Sequence, residues 1–225
     1  MEGEVHRIDL KHDKRDEAWN DAIGFRNPSR QQAMACLRSL LAFIGENPDR
    51  EGLRDTPDRV LRAWEELFGG YDADAEGVLQ RTFEEVDGYE DIVLLRNIDF
   101  VSHCEHHMIP IHGKAHIAYQ PCNRVVGISK LARVVDIFAR RLQTQESLTA
   151  QIANTIEKVL APKGLGIIVV ASHQCMVTRG IQKRDAETIT TAFRGTFKEN
   201  DKLEKRVLRL VDADLSLTNP PRSRE

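Results

Sequence analysis

The spacing of apolar residues changes between a helical and an extended period along this chain, and the order of those changes constrains its fold more than any other feature. Helical spacing, with apolar side chains every three or four positions, occurs in residues 30–45, 56–68, 129–141, 145–161 and 203–211. Alternating spacing, which is typical of strands, occurs in residues 92–100, 109–120, 165–177 and 187–197. The chain is therefore predicted to begin with helices and then to run strand, strand, helix, helix, strand, strand, helix.

This order predicts an α+β domain in which helices pack on one face of an antiparallel sheet. A sheet of so few strands keeps two open edges, and exposed edges pair readily with another subunit, so we expect oligomerisation to close the sheet. Residues 1–28 are rich in charge and lack periodicity, and a break at Asn27-Pro28-Ser29 follows. They are predicted to form an N-terminal arm ahead of one folded domain, residues 29–225.

The composition is that of a globular protein. Of the 225 residues, 41% are hydrophobic and 30% are charged, which is more apolar content than disordered chains have. The net charge of -3 argues against a general nucleic-acid binder, because such proteins carry a basic excess. No apolar run approaches the roughly eighteen residues that span a bilayer, and residues 1–7 lack the pattern of a signal peptide. We expect a cytoplasmic protein without a membrane partner, whose thiols stay reduced and able to bind a metal.

Two short clusters combine thiol and imidazole side chains. Residues 103–107 read His-Cys-Glu-His-His, and His173 and Cys175 follow later in the chain. Thiolate and imidazole are donors that zinc prefers. The cysteines form no C-x-x-C pair, which argues against a closed structural zinc site. Cys104, His107 and Cys175 would instead give a three-ligand site with one open position, as catalytic zinc sites have.

His106 and His173 would then stand beside the metal as acid–base groups, because the pKa of imidazole lies nearest to neutrality. If residues 165–177 form a strand, His173 and Cys175 project from one face of it, so that a rigid element carries the second half of the site. The alternative is that Cys104 and Cys175 are buried as small apolar residues and that the histidines are polar loop residues.

A basic cluster stands at the predicted start of a helix, in residues 127–133. Ser129 is placed at its N-cap, with Lys130 and Arg133 in the first turn. Cations in that position oppose the helix dipole, and a bound phosphate would reverse the penalty. The sequence therefore indicates an anion pocket, with a solvated polar face as the alternative.

Other polar residues are candidates for substrate contacts. Arg179 follows the second cluster, and Arg59 follows a helix start at Asp55-Thr56-Pro57, where Thr56 is placed at the N-cap. Each arginine taken alone is equally well explained as a surface charge. Glu146 and Gln145 begin a later helix, where an acidic residue also has an ordinary explanation in the helix dipole.

Taken together, these segments resemble the GTP cyclohydrolase I family. The resemblance extends from about Ser29 to the C-terminus, and its motifs are specific in combination. They are Glu46-Asn47-Pro48, Asp55-Thr56-Pro57-Asp58-Arg59, Ser102-His103-Cys104-Glu105-His106-His107, Gly113-Lys114-Ala115-His116-Ile117-Ala118-Tyr119, Gly127-Ile128-Ser129-Lys130-Leu131-Ala132-Arg133, Gln143-Thr144-Gln145-Glu146 and His173-Gln174-Cys175-Met176-Val177-Thr178-Arg179-Gly180. Residues 1–28 match nothing in the family, Ala186 stands where many members have serine, and Ile111 replaces a frequent aromatic.

The resemblance implies the tunnelling fold, assembled as a toroidal homodecamer with active sites at subunit interfaces. The implied ligands of Zn²⁺ are Cys104, His107 and Cys175. The implied catalytic residues are His106, His173 and Ser129, with the two histidines serving proton transfer. The implied substrate-binding residues are Glu146 and Gln145 at the guanine edge, and Lys130, Arg133, Arg179 and Arg59 at the ribose and triphosphate, with Ser129 beside them and Arg59 coming from a neighbouring subunit.

The implied reaction opens the imidazole ring of GTP at C8, releases formate and rearranges the ribose to give 7,8-dihydroneopterin triphosphate, the first step of pterin and folate biosynthesis. A Lewis-acidic metal suits hydrolysis at an unreactive purine carbon. A carboxylate that accepts two hydrogen bonds from the guanine edge discriminates against adenine.

Three alternatives stay open at this point. A zinc deaminase needs an H-x-E and a P-C-x-x-C signature, and Pro121-Cys122 lacks the second cysteine. A nitrile reductase of deazapurines would need a nucleophilic cysteine and nicotinamide contacts. A zinc-stabilised assembly protein without enzymatic activity would leave Glu146 and the basic helix start unexplained.

Overall fold

A computed structural model of the protein describes residues 28–80, 82–83, 88–122 and 124–213. The predicted N-terminal arm therefore lies, except for Pro28, outside the described residues. The chain divides into two compact units between Ala73 and Asp74, and each unit is considered by itself. None of the helices in the described ranges is long and apolar enough to cross a membrane.

The described residues of the first unit form two helices and a short 3-10 turn, which are α1 (Arg30–Phe43), α2 (Thr56–Leu67) and Gly69–Tyr71. A capping box starts α1, since the Ser29 hydroxyl accepts from the Gln32 amide while the Gln32 side chain accepts from the Ser29 amide. Helix α2 begins one residue earlier than predicted, since Asp55 and not Thr56 is the N-cap residue and Pro57 is the second and not the first helical residue. Arg30 joins the two helices through ion pairs to Asp58 and Glu65.

The second unit is the α+β part of the chain, as predicted. Its helices are α3 (Ala75–Leu79), α4 (Ile128–Ala139), α5 (Gln145–Leu160), α6 (Gln174–Val177), α7 (Thr196–Glu199) and α8 (Asp201–Asp212). Its strands are β1 (Thr82–Phe83), β2 (Val93–Cys104), β3 (Pro110–Gln120), β4 (Val125–Val126), β5 (Leu142–Gln143), β6 (Gly164–His173) and β7 (Thr188–Gly195). The main sheet has the order β5-β2-β3-β6-β7, and β1 pairs with β4 apart from it.

The four long strands of the main sheet are the predicted ones, and they pair antiparallel. The short strand β5 was not predicted. It runs parallel to β2, pairing Cys104 with Gln143, and it places the start of α5 beside the end of β2.

Helices cover both faces of the main sheet, so the prediction that they pack on one face is wrong. Ile117 and Ile167 belong to the core that α4 and α5 cover. Their neighbours Ala118 and Ile168 point the other way, into a second cluster that includes Val207 of α8. The hydrophobic face of α8 therefore shields one end of the sheet face that α4 and α5 leave open.

A β-bulge in β2 decides which face the end of that strand presents. Leu95 pairs with Ile117 and Ile98 pairs with Ala115, so β2 holds one extra residue there. Asn97 takes the left-handed conformation with φ of 59°, and its amide donates to the His116 ring at 3.4 Å. The alternation predicted through residues 92–100 is therefore broken, because the strand changes phase at the bulge.

The change of phase decides on which face of the sheet Cys104 lies. Beyond the bulge, Ile98, Phe100 and Cys104 all lie in the core beneath α4 and α5. Without the extra residue, Cys104 would point to the opposite face of the sheet.

Candidate active site

The structure brings together the three side chains predicted to bind a metal. Cys104, His107 and Cys175 each offer one donor atom, and these atoms all lie within 4.8 Å of one another. The Cys104 sulfur lies 3.6 Å from the His107 Nδ1. Cys104 is buried, Cys175 is partly buried and His107 is exposed, so the group is open on one side.

The hairpin between β2 and β3 turns His107 back toward Cys104. The Cys104 amide donates to the Ile109 carbonyl at 3.0 Å, and the Met108 amide donates to the Cys104 carbonyl at 2.7 Å. Met108 takes a left-handed conformation, with φ of 54°, to close this loop. The amide of Glu105 donates to Gln143 of β5, which ties the loop to the start of α5.

Cys175 is not on a strand, and the prediction that it projects from the same strand face as His173 is wrong. Strand β6 ends at His173, and Cys175 lies in the single-turn helix α6. Helical rotation, and not the two-residue repeat of a strand, thus brings its sulfur to Cys104. Burial and the neighbouring Cys104 raise the pKa of the Cys175 thiol.

His106 lies beside this group and is open to solvent. Its Nδ1 is 3.8 Å from the Cys104 sulfur, and its Nε2 is 3.8 Å from a Glu105 carboxylate oxygen. The two neighbouring imidazoles differ in placement, since His107 completes the three-donor group and His106 borders it.

His173 is held by Gln145, a contact that the sequence did not predict. The Gln145 side chain is 2% exposed, and its amide nitrogen donates to the backbone carbonyls of Val169 at 3.1 Å and Thr188 at 2.8 Å. These carbonyls fix the orientation of the amide, so its oxygen faces the His173 Nε2 at 2.8 Å. His173 must therefore donate from Nε2, which leaves its Nδ1 as an acceptor when the ring is neutral.

The surroundings of His173 favour that neutral ring. Burial lowers the pKa of His173, and the nearby Glu146 carboxylate opposes this effect. Glu146 is exposed in the first turn of α5, immediately after the buried Gln145. Gln145 therefore points into the protein, while Glu146 points out of it.

The predicted anion-binding residues on α4 lie slightly further along the helix than expected. The helix begins at Ile128 with Gly127 as its N-cap, so Ser129 is its second residue and not the cap. Lys130 lies in the first turn, and Arg133 lies in the second, which corrects its predicted place. Neither cation forms an ion pair with a described residue, so both charges are free to meet an anion.

Two further arginines complete the predicted set. Arg179 is exposed just after α6, close enough for its charge to lower the pKa of the Cys175 thiol against the larger effect of burial. Arg59 belongs to the first unit, where its guanidinium donates to the Gly52 carbonyl and the Thr56 hydroxyl, each at 2.9 Å. The Arg59 contacts are local to its own helix start.

The second unit is thus an α+β protein whose sheet ends in a Cys–His–Cys donor group that His106 borders, with His173 two residues before Cys175. Comparison with known proteins makes this class more specific. The chain matches the family model of GTP cyclohydrolase I over residues 33–212. It is 56% identical over 186 residues to GTP cyclohydrolase 1 of Brucella suis and of Brucella melitensis, covering 83% of this chain and 87% of each relative.

A solved structure, the archaeosine synthase QueF-Like in its apo form, aligns with 46% of this chain and 93% of its own at 18% identity, but its TM-score of 0.39 is too low to support an argument. The family match and the Brucella relatives are decisive. The chain belongs to the GTP cyclohydrolase I family, and it is an enzyme of this type.

Proposed function

We propose that this enzyme opens the imidazole ring of GTP at C8, releases formate and forms 7,8-dihydroneopterin triphosphate, the entry reaction of pterin and folate biosynthesis. The observation that carries the proposal is the convergence of Cys104, His107 and Cys175, with His106 at its border and His173 two residues before Cys175. This arrangement supplies donors for a metal and proton-transfer groups beside it. Family membership supports GTP as the substrate.

The donor group suits zinc. An ion bonded to sulfur at about 2.3 Å and to nitrogen at about 2.1 Å in a tetrahedron sets those two ligands about 3.6 Å apart. The separation of the Cys104 sulfur and the His107 nitrogen is 3.6 Å. Two neighbouring thiols also resist joint deprotonation, and a divalent cation offsets that repulsion. Bound there, zinc would supply Lewis-acid chemistry for hydrolysis at the purine carbon.

The histidines would manage protons around the purine ring. The Nδ1 of His173 carries a lone pair when its Nε2–H is bonded to Gln145, so it can accept a proton and later return it. His106 is exposed beside the Cys104 sulfur, where it can protonate a ring nitrogen as the bond to C8 breaks. Gln145, which the resemblance associates with the guanine edge, would act by holding His173.

The charged residues would orient the substrate. The exposed Glu146 carboxylate beside His173 would accept hydrogen bonds from the guanine N–H edge, which adenine lacks. Ser129, Lys130, Arg133 and Arg179 would hold the ribose and triphosphate, with Arg59 arriving from a neighbouring subunit. Charge-assisted hydrogen bonds of this kind suit a polyphosphate.

The sheet also bears on assembly. Its edges in the described residues are β5, of two residues, and β7, of eight. An exposed edge such as β7 invites pairing with another copy of the chain. We propose the toroidal decamer of the tunnelling fold as the assembled form.

Incubation of the purified enzyme with GTP tests the proposed function. The expected result is release of formate and a product that becomes a fluorescent pterin after oxidation, with GDP and guanosine absent. Hydrolysis of the phosphate chain without formate would contradict the proposal.

A further inference from the structure

A closed ring of hydrogen bonds lies behind His173, in the space between α5 and β7. Thr149 is 2% exposed, and its hydroxyl donates to the Gln145 backbone carbonyl at 2.8 Å. The hydroxyls of Thr149 and Thr190 are 2.7 Å apart. The Gln145 side-chain nitrogen lies 3.2 Å from the Thr190 hydroxyl.

The direction of each bond in this ring follows from proton counting. Thr149 has one hydroxyl proton and gives it to the Gln145 carbonyl, so Thr190 must donate to Thr149. Thr190 then has only acceptor capacity left for the Gln145 amide. The ring therefore runs one way, from the Gln145 amide through Thr190 and Thr149 back to the Gln145 backbone.

The Gln145 amide nitrogen shares its two protons among three acceptors, which are the carbonyls of Val169 and Thr188 and the Thr190 hydroxyl. The ring and the two carbonyls together leave one orientation of the amide. The opposite orientation would place its oxygen against the carbonyls of Val169 and Thr188 and would leave buried acceptors without donors, which is costly. The oxygen that faces His173 is thus set from the buried side of Gln145.

We propose that Thr149 and Thr190 are positioning residues: they fix the Gln145 amide, which holds His173 with its proton on Nε2 and its Nδ1 free as the acceptor in the reaction. The inference rests on the proposed function for its effect on turnover. It goes beyond that function, because neither threonine is among the metal donors or the residues proposed to hold GTP.

The test replaces hydroxyl by methyl, which keeps the branched shape. Thr190→Val removes one of the three acceptors around the Gln145 amide nitrogen and takes away the donor to Thr149, so that the carbonyls of Val169 and Thr188 hold the amide alone. A positioned acid–base group typically contributes about 10²-fold or more to the rate, so we expect its misplacement to lower kcat at least tenfold. KM for GTP should change less than about twofold, and zinc content should be unchanged. Thr149→Val acts one step further away and should lower kcat several-fold.

Two variants serve as controls. Thr190→Ser keeps the hydroxyl, so its kcat should lie close to the wild-type value and well above that of Thr190→Val. Thr191→Val makes the same change at the next residue, which is exposed and pairs with Ile168 on the other face of the sheet. It should leave kcat near the wild-type value.

A double-mutant cycle separates positioning from general loss of structure. If Thr190 acts through His173, then Thr190→Val should lower kcat by less than about twofold in a His173→Ala background, because the group it positions is gone. A full tenfold loss in that background would overturn the proposal. Should Thr190→Val fail to fold, the same cycle with Thr149→Val decides.

A spectroscopic measurement shows which ring nitrogen of His173 carries the proton and does not depend on catalytic turnover. Solid-state ¹⁵N NMR of the histidine-labelled zinc enzyme distinguishes Nε2–H from Nδ1–H rings, and His173 is assigned by its loss in His173→Ala. We expect Nε2–H in the wild type and a mixture in Thr190→Val. An Nδ1–H ring in the wild type would overturn the positioning proposal, whereas a correct ring without formate release from GTP would overturn only the proposed function.

Discussion

At the scale of single residues, the four cysteines fall into two groups that provide matched controls. Cys104 and Cys175 converge on the candidate metal centre, whereas Cys36 and Cys122 are exposed elsewhere. We expect Cys104→Ser or Cys175→Ser to lose zinc and formate release while the oligomer persists, because these thiols act as ligands. Cys36→Ser and Cys122→Ser should keep both. Metal analysis of the purified variants checks this, and full zinc occupancy after loss of Cys104 or Cys175 would remove that residue from the ligand set.

The two bordering histidines should behave differently from the ligands. Because we assign them to proton transfer, His106→Ala or His173→Ala should retain zinc and GTP binding but lower turnover by roughly 10²-fold. Metal content, GTP affinity and kcat measured on the same preparation check this. Loss of zinc from the His106 variant would mean that ligand and acid–base group have been exchanged between His106 and His107.

At the scale of elements, apolar periodicity predicts the long strands and helices but does not predict their phase relative to one another. Residues 92–100 contain apolar side chains on both alternations, so nothing in the pattern states where the strand changes face. The available signal is Asn97, since asparagine within a strand tolerates the left-handed conformation that a bulge needs. The three residues whose donor atoms converge could be predicted from their types and spacing, but the bulge that directs Cys104 could not.

The polar network behind His173 also could not be predicted from the sequence. Gln145, Thr149 and Thr190 are common residue types, and their contacts arise from the packing of α5 against β6 and β7. The prediction that Cys175 lies on a strand is wrong for a related reason. The alternating pattern of strand β6 continues past His173 at Cys175 and Val177, yet the chain turns into α6 there.

The bulge also makes stability depend on pH. His116 is buried with its ring accepting from the Asn97 amide, and burial, together with Arg96 and Lys114, lowers its pKa. The unfolded chain therefore binds this proton more readily, so the contribution of His116 to stability is complete above about pH 6.5 and declines as the pH falls toward the lowered pKa.

His116→Gln keeps an acceptor for Asn97 but cannot titrate. We expect the unfolding free energy of this variant to decline less between pH 7 and 5 than that of the wild type. Denaturant unfolding at several pH values checks the difference, which isolates His116 from the other histidines. Parallel pH profiles for the two proteins would contradict the account of the bulge.

At the scale of the whole molecule, a chain with a net charge of -3 keeps some of its cations out of ion pairs with described residues. Lys130 and Arg179 are free of ion pairs to described residues. If they bind the triphosphate, Lys130→Ala or Arg179→Ala should weaken GTP binding roughly ten- to hundredfold, from about 1.5 to 3 kcal/mol per charge-assisted contact. Guanosine binding should change little in these variants.

Glu146→Ala supplies the opposite case. It should weaken the binding of GTP and of guanosine alike, because the base is present in both ligands. Calorimetric affinities for the two ligands across the three variants check the orientation of the substrate. Equal losses for both ligands in every variant would contradict the division between a base-binding and a phosphate-binding side.

The most direct test of the central claim, that the Cys104–His107–Cys175 group uses zinc to open GTP, is formate release before and after metal removal. We expect the zinc enzyme to release one formate per 7,8-dihydroneopterin triphosphate, the chelated enzyme to release none while still binding GTP, and added zinc to restore both products together. Undiminished formate release from an enzyme shown to be free of metal would contradict the account.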